Sequence, residues 1–116
     1  MAERERPVVC VLGEGSAHYG ITALWTAATY RVPVTFLVLR NEEYAILKWF
    51  ADLESVTGAP GLDLPALDTV GVASAYGVES RSVDDREELT EALREGIGAS
   101  GPRLVEVRVA PGMALA

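Results

Sequence analysis

The stretch VVCVLGEGS, residues 8–16, carries the pattern that decides the fold. The run of apolar residues from Val8 to Leu12 is typical of a strand that is buried on both faces of a parallel sheet. The segment 13–16, Gly-Glu-Gly-Ser, then interrupts the apolar run. Backbone N–H groups that enter a helix favour an anion, so this turn can bind phosphate.

Apolar residues recur at helical spacing after this turn. The residues at positions i, i+3, i+4 and i+7 are Ile21, Leu24, Trp25 and Ala28. This spacing predicts an amphipathic helix from about Tyr19 to Tyr30. A second apolar run, Val34 to Leu39, predicts another buried strand. Strand, turn, helix and strand form a βαβ unit, for which we expect a right-handed crossover.

The rest of the chain continues to alternate helices and strands. We predict helices over 44–52, 68–76 and from Asp85 onward, a loop over 57–65, and strands over 78–83 and 104–109. Asp68 and Asp85 are predicted helix caps, and Glu88 would complete a capping box with Asp85. Leu89, Leu93 and Ile97 are predicted to line the buried face of the last helix.

This alternation predicts an α/β fold with a mainly parallel sheet of about four strands flanked by helices. So small a sheet with two strongly apolar strands needs cover on both faces. We therefore expect residues 1–116 to be part of a larger domain.

Composition excludes several classes of function. The formal net charge is −7, whereas proteins that bind nucleic acid or anionic membrane surfaces are usually basic. Cys10 is the single cysteine, so no disulfide forms within the chain and a reducing cytoplasm is the expected compartment. Residues 1–6 are mostly charged and no long apolar segment follows, so we expect neither a signal peptide nor a membrane span.

Oxygen-bearing side chains follow the two predicted strands of the βαβ unit. Ligands of open α/β sheets bind at the carboxyl ends of the strands, where Glu14 and Asn41 stand; the two strands are either neighbours or separated by one inserted strand. A carboxylate repels a diphosphate unless a cation lies between them, and both side chains offer the hard oxygen ligands that Mg²⁺ prefers. A metal-bridged diphosphate is therefore predicted, although residues 13–16 alone also fit a tight turn without a ligand.

Other phosphate-binding motifs do not fit this spacing. A dinucleotide fingerprint would place its third glycine at position 18, which is His18. A Walker-type Gly-Lys-Ser/Thr is absent from the sequence. We expect His18 to be a surface or packing residue.

Gly13-Glu14-Gly15 followed by Arg40-Asn41 resembles the signature of the thiamine-diphosphate-dependent enzymes, a Gly-Asp-Gly followed some two dozen residues later by Asn-Asn. Further segments are similar to benzoylformate decarboxylases within that family. They are residues 15–30, Tyr44, Leu47, Trp49, Phe50, residues 60–65, 76–78 and 101–107. The resemblance extends from Val8 to about Val109.

The resemblance implies a role for each matched position. Glu14 and Asn41 would bind the metal through their side chains, and Glu43 through its backbone carbonyl. The residues implied to contact the cofactor are Gly13, Gly15 and Ser16 at the diphosphate, with Tyr44 and Ala45 nearby. The residues implied to face the substrate are Ile46, Leu47 and Phe50.

Three positions depart from the pattern of the family. Glu14 replaces the aspartate and adds one methylene, to which Mg²⁺ geometry is sensitive. Arg40 replaces the first asparagine and leaves the second, Asn41, in place. Ile46 replaces the small alanine of benzoylformate decarboxylases, matches the isoleucine of pyruvate decarboxylases, and should narrow a pocket for an aryl group.

The resemblance implies the thiamine-diphosphate- and Mg²⁺-anchoring part of a 2-oxo acid decarboxylase, a carboxy-lyase. We expect residues 1–116 to lack the pyrimidine-binding and central domains of such enzymes and therefore to have no activity alone. Its expected partners are the missing pyrimidine-binding domain or a full-length subunit, and a small 2-oxo acid. Exposed apolar surface would favour a homo-oligomer. Two alternatives stay open, namely an acetolactate-synthase-like carboligase and a non-catalytic α/β module that has lost the cofactor.

Overall fold

The computed structural model describes residues 6–113. The charged residues 1–5, which enter the argument against a signal peptide, and residues 114–116 of the tail lie outside the described residues. The strands are β1 Val8–Gly13, β2 Val34–Arg40, β3 Glu79–Val83 and β4 Arg103–Arg108. The helices are α1 Glu14–Tyr19, α2 Ala23–Thr29, α3 Ala45–Leu53, α4 Thr69–Ala75 and α5 Arg86–Gly98.

The strands form one four-stranded parallel sheet in the order β1-β2-β4-β3. This arrangement confirms the predicted α/β fold. β1 and β2 are direct neighbours, and Gly13 is in register with Leu39. The residues that follow these two strands therefore start from adjacent positions on the same edge of the sheet.

Each face of the sheet carries one apolar cluster. The cluster on the side of α2 and α4 contains Leu24, Val38, Ala73, Val78 and Leu104. The cluster beneath α5 contains Val83, Ala92, Val105 and Val107. None of the helices within residues 6–113 combines the length and apolarity needed to cross a membrane.

The predicted helix over residues 19–30 was wrong in its bounds, because the segment 14–30 holds two short helices and only the second lies within the predicted range. α1 begins directly at Glu14, and α2 covers only Ala23–Thr29. Gly20 caps α1, and the Ala23 N–H donates to its carbonyl oxygen at 2.9 Å. Glycine is a poor helix former, so the chain turns here instead of continuing one helix.

The prediction that β1 is buried on both faces was also wrong. β1 is an edge strand whose alternate side chains are exposed, with Val11 reaching 59%. These side chains are exposed because β1 lies at the end of the described sheet, with β2 as its single partner. The helix α5 packs against β2 and β4 and does not cover β1 to the same extent.

The caps of α4 and α5 are confirmed. The side chain of Asp68 accepts a hydrogen bond from the Gly71 N–H at 2.8 Å. Asp85 accepts from the Glu88 N–H at 2.9 Å, and Glu88 in turn accepts from the N–H of Asp84 at 3.1 Å. These bonds satisfy backbone donors that a helix start leaves without partners.

The predicted buried face of α5 was partly wrong. Ala92 and Gly96 are its buried residues, whereas Ile97 is 49% exposed. A small residue is required where the helix approaches β2, since a Cβ on Gly96 would lie 2.6 Å from the Oγ1 of Thr35. The face of α5 that packs on the sheet is therefore determined by the small size of its residues, which lets the helix approach β2 closely, and not by apolarity alone.

Candidate functional site

The carboxylate of Glu14 lies against the segment that follows β2. Its Oε1 accepts hydrogen bonds from the backbone N–H of Asn41 at 3.1 Å and from that of Glu42 at 2.5 Å. Glu14 is only 2% exposed, and burying a carboxylate is costly unless such donors compensate the lost hydration. The structure therefore brings together the two strand ends that the sequence singled out.

Residues 41–43 form a short loop with a restrained backbone. The side-chain Oδ1 of Asn41 accepts from the Glu43 N–H at 3.3 Å, as in an Asx turn. Glu42 has a φ of 62°, which costs about 1–2 kcal/mol for a residue with a Cβ. Backbone strain of this kind is concentrated at functional sites.

The side chain of Glu43 joins the loop to α3 and to the tail. It pairs with the Lys48 ammonium and accepts from the Gly112 N–H. The Lys48 hydrogen bond, followed by the Gly112 N–H, lowers the pKa of Glu43. Hydrogen bonds to Asp63 and Glu43 raise the pKa of Lys48, whose Nζ is 2.6 Å from Asp63. The Glu43 side chain thus restrains the backbone to which a metal-ligand role is assigned.

Tyr44 packs directly on Gly15. A Cβ on Gly15 would lie 2.4 Å from the Cε1 of Tyr44 and 2.9 Å from the Cδ1 of Leu64. Burial raises the pKa of Tyr44, with further contributions from the Tyr19 hydroxyl and the charge of Glu14. The ring therefore stands next to the Gly15 backbone and the Glu14 carboxylate, at the start of α1.

Gly15→Ala should be much more damaging than Gly13→Ala. The new methyl group at position 15 must displace Tyr44, and such overpacking costs about 1–3 kcal/mol. At Gly13 a Cβ would meet nothing within 4 Å, so this variant is the matched control. Urea denaturation measures the loss, and the NMR signals of the Tyr44 ring report its displacement. Equal stability of the two variants would contradict this packing.

The remaining predicted site residues lie around this centre. Ser16 is exposed on α1, whose N-terminus has no side-chain cap, and Ala45 begins α3. The residues predicted to face a substrate are exposed on α3, namely Ile46, Leu47 and Phe50. The described part of the chain leaves these three side chains uncovered.

His18 is held by a packing contact. Its Nε2 is 3.3 Å from the Oγ1 of the buried Thr69. This contact connects α1 to α4 and agrees with the packing role predicted for His18.

A role for Glu106 was not predicted from the sequence, and Arg40 was treated only as a substitution that leaves Asn41 in place. Glu106 is 4% exposed, and its Oε1 accepts from Arg40 Nη1 at 3.4 Å and from Ser82 Oγ at 2.9 Å. Arg40 also pairs with Glu42 at 2.8 Å. The sequence contained a signal for this pair, because Glu106 stands between apolar residues, Val105 and Val107, in a predicted strand, and acids are rarely fully buried unless they are paired.

The oxygen donors of the site suit a magnesium ion that keeps other ligands. Within residues 6–113, no group of three or more His, Cys, Asp or Glu side chains could hold a metal ion. Mg²⁺ usually binds one or two carboxylates and completes its shell with water and phosphate oxygens. The Glu14 carboxylate contacts the backbone N–H of Asn41, and a carboxylate with a side-chain amide oxygen is a donor set whose chemistry suits such an ion.

Comparison with known proteins identifies similar chains. Residues 1–107 match the family described as "Thiamine pyrophosphate enzyme, C-terminal TPP binding domain". The chain is 50% identical over 107 residues to a benzoylformate decarboxylase of Pseudomonas aeruginosa, a match that covers 92% of this chain and 20% of the relative. It is 36% identical over 117 residues to a putative acetolactate synthase large subunit of Mycobacterium tuberculosis, with 94% and 23% covered.

Solved structures of similar chains are also decarboxylases of this kind. The thiamine diphosphate-dependent 4-hydroxybenzoylformate decarboxylase of Rhodococcus jostii RHA1 superimposes with a TM-score of 0.89 at 41% identity, over 92% of this chain and 20% of that chain. A benzoylformate decarboxylase from Polynucleobacter necessarius also gives 0.89, at 40% identity and the same coverage. The chain thus spans about a fifth of the length of the relatives it matches.

Proposed function

Because the chain belongs to the thiamine pyrophosphate enzyme family, we propose that it anchors thiamine diphosphate through Mg²⁺ as part of a 2-oxo acid decarboxylase. One observation carries this proposal. The buried Glu14 carboxylate lies in hydrogen-bonding contact with the Asn41 backbone, at the carboxyl ends of two neighbouring parallel strands.

The proposed contacts are those that the family resemblance implies, and the geometry of the two strand ends supports them. Glu14, the side chain of Asn41 and the backbone carbonyl of Glu43 bind the ion. The diphosphate lies at the start of α1, where Gly13, Gly15 and Ser16 present a helix N-terminus without a side-chain cap. The ion offsets the repulsion between the diphosphate and Glu14.

The chemistry of carbon–carbon bond cleavage comes from the cofactor when it is bound, while the protein binds and orients it. Glu14 places a fixed negative charge for the ion, and its two N–H contacts keep that charge from moving. Tyr44 and Ala45 lie beside the cofactor in this proposal, and the Tyr44 ring packs against the Gly15 backbone.

The proposed substrate is a small 2-oxo acid that contacts Ile46, Leu47 and Phe50. These side chains are exposed, so another domain or subunit must complete the pocket. The branched Ile46 favours a narrower substrate than an aryl 2-oxo acid. The exposed side chains of Val11 and Trp25 support assembly with a full-length subunit or a pyrimidine-binding domain in a homo-oligomer. The proposed compartment is the cytoplasm.

A carboligating activity is the second candidate. The similarity to an acetolactate synthase large subunit favours it. Product analysis of an assembled enzyme that contains this chain would distinguish the two, because a decarboxylase releases CO₂ and an aldehyde, whereas a carboligase releases CO₂ and a longer 2-hydroxy-3-oxo acid.

Calorimetric titration of the chain with thiamine diphosphate tests the proposal. We expect heat of binding in the presence of Mg²⁺ and none after removal of the metal with a chelator. Absence of binding in the presence of Mg²⁺ would instead support a non-catalytic module that has lost the cofactor. Equal binding without the metal would contradict the proposed role of Glu14.

A further inference from the structure

Arg40 connects two acidic side chains at the end of β2. Its Nη2 is 2.8 Å from Oε1 of Glu42, and its Nη1 is 3.4 Å from Oε1 of Glu106. Glu106 lies on the neighbouring β4, and it also accepts a hydrogen bond from Ser82 on β3. One arginine therefore links the loop after β2 to two other strands.

The buried end of this bridge has little freedom to move. Within residues 6–113, neither the Nε of Arg40 nor the Oε2 of Glu106 has a hydrogen-bond partner, although both atoms are buried. Arg40 is the single cationic side chain paired with Glu106 in this described part. Separation of a buried ion pair leaves an uncompensated charge, which is costly. This cost keeps the Arg40 guanidinium next to the Glu106 carboxylate.

The exposed end of the bridge reaches the strained residue of the loop. Glu42 is held by three contacts, namely its N–H to Glu14, its carbonyl oxygen to the Leu64 N–H at 2.8 Å, and its carboxylate to Arg40. A left-handed backbone with a Cβ persists only where surrounding structure enforces it. Arg40 supplies the side-chain part of that restraint.

We infer that Arg40 is a positioning residue that ties Glu42 to the buried Glu106. In this way it holds Asn41 and Glu43 in the arrangement that faces Glu14. The uncharged asparagine found here in the signature that the chain resembles could not form this bridge. The inference rests on the proposed function only in its last step, which is that the positioned loop binds a metal.

Amide hydrogen exchange of the loop, measured by NMR on the ligand-free chain, tests the inference. In Arg40→Gln we expect the Asn41 and Glu42 amides to exchange about tenfold faster or more, since the loss of one partner from a partly buried ion pair releases the loop that presents these amides to Glu14. The Val105 amide in the sheet is the internal reference. Adding Glu42→Gly should restore slow exchange, because glycine adopts the left-handed backbone without a Cβ penalty.

A second double variant separates positioning from simple stability. Arg40→Gln with Glu106→Gln removes the uncompensated buried charge, so its unfolding midpoint should recover while the loop amides still exchange fast. The inference is overturned if loop exchange recovers together with the midpoint in this variant and Glu42→Gly gives no rescue. If Arg40→Gln alone does not fold, the two double variants decide the question.

This readout needs no cofactor, so it is independent of the proposed function. Failure of thiamine diphosphate to bind the unaltered chain would remove the proposed function and leave the loop result standing. Where the cofactor does bind, we expect its Mg²⁺-dependent affinity to fall in the variants with fast loop exchange. An unchanged affinity in those variants would overturn the link between the bridge and the metal.

Discussion

Glu14→Gln should weaken the Mg²⁺-dependent binding of thiamine diphosphate by about a hundredfold or more. Loss of groups that merely support a metal ligand already costs about 10–100-fold, and this change removes the charge of the proposed direct ligand. The amide keeps the size of the side chain and one oxygen acceptor for the N–H groups of Asn41 and Glu42. The expected loss is therefore specific to the metal.

Titration calorimetry at fixed Mg²⁺ measures this effect, and circular dichroism confirms that the variant is folded. Glu91→Gln is the matched control, because Glu91 is exposed on α5, where we assign no role in binding. Glu14→Asp keeps the negative charge and shortens the side chain by one methylene. It therefore distinguishes the effect of the charge on metal binding from the effect of side-chain length. Cofactor affinity in Glu14→Gln equal to that of the unaltered chain would contradict the metal-ligand role.

Gly96→Ala should produce the largest loss of stability among the single methyl additions in α5. The new Cβ would lie 2.6 Å from Oγ1 and 2.9 Å from Cγ2 of Thr35. Thr35 is 1% exposed on a central strand, so it has no space into which to move. Overpacking of this kind typically costs about 1–3 kcal/mol, which exceeds the gain of roughly 1 kcal/mol in helix propensity.

Gly98→Ala is the matched control in the same helix. A Cβ at Gly98 would meet nothing within 4 Å, so helix propensity and reduced freedom of the unfolded chain should stabilise this variant by about 0.4–1 kcal/mol. Urea denaturation of both variants gives the two free energies of unfolding. A similar change in both would show that α5 does not pack on β2 as closely as described.

The order of the elements and the main contact of the site were predictable from local patterns. Two apolar runs separated by a helical segment indicated parallel strands, and parallel strands end on the same edge of a sheet. Glu14 and Asn41 each follow such a run directly, so their place on one edge was predictable. That the two strands are direct neighbours, and not separated by an inserted strand, is a finding of the structure. The caps at Asp68 and Asp85 were predictable because a cap is formed within three or four residues.

The features that were missed depend on tertiary contacts. The side chain of Arg40 contacts Glu106 only because β4 lies next to β2. This strand order cannot be predicted from the local sequence of either strand. The buried face of α5 follows from its distance to Thr35, which a count of apolar residues cannot supply. The open face of β1 depends on what lies beyond the strand, and apolarity alone does not reveal it.

The proposed function requires one ion between Glu14, the 41–43 loop and the diphosphate. Mn²⁺ can replace Mg²⁺ at such oxygen sites and broadens the NMR signals of nearby nuclei. Mn²⁺ should be added in substoichiometric amounts to the isotopically labelled chain together with thiamine diphosphate. We expect the amide signals of Gly15, Asn41 and Glu43 to broaden first, whereas first broadening at the acidic start of α5, around Glu87 and Glu88, would rule out an ion at this position.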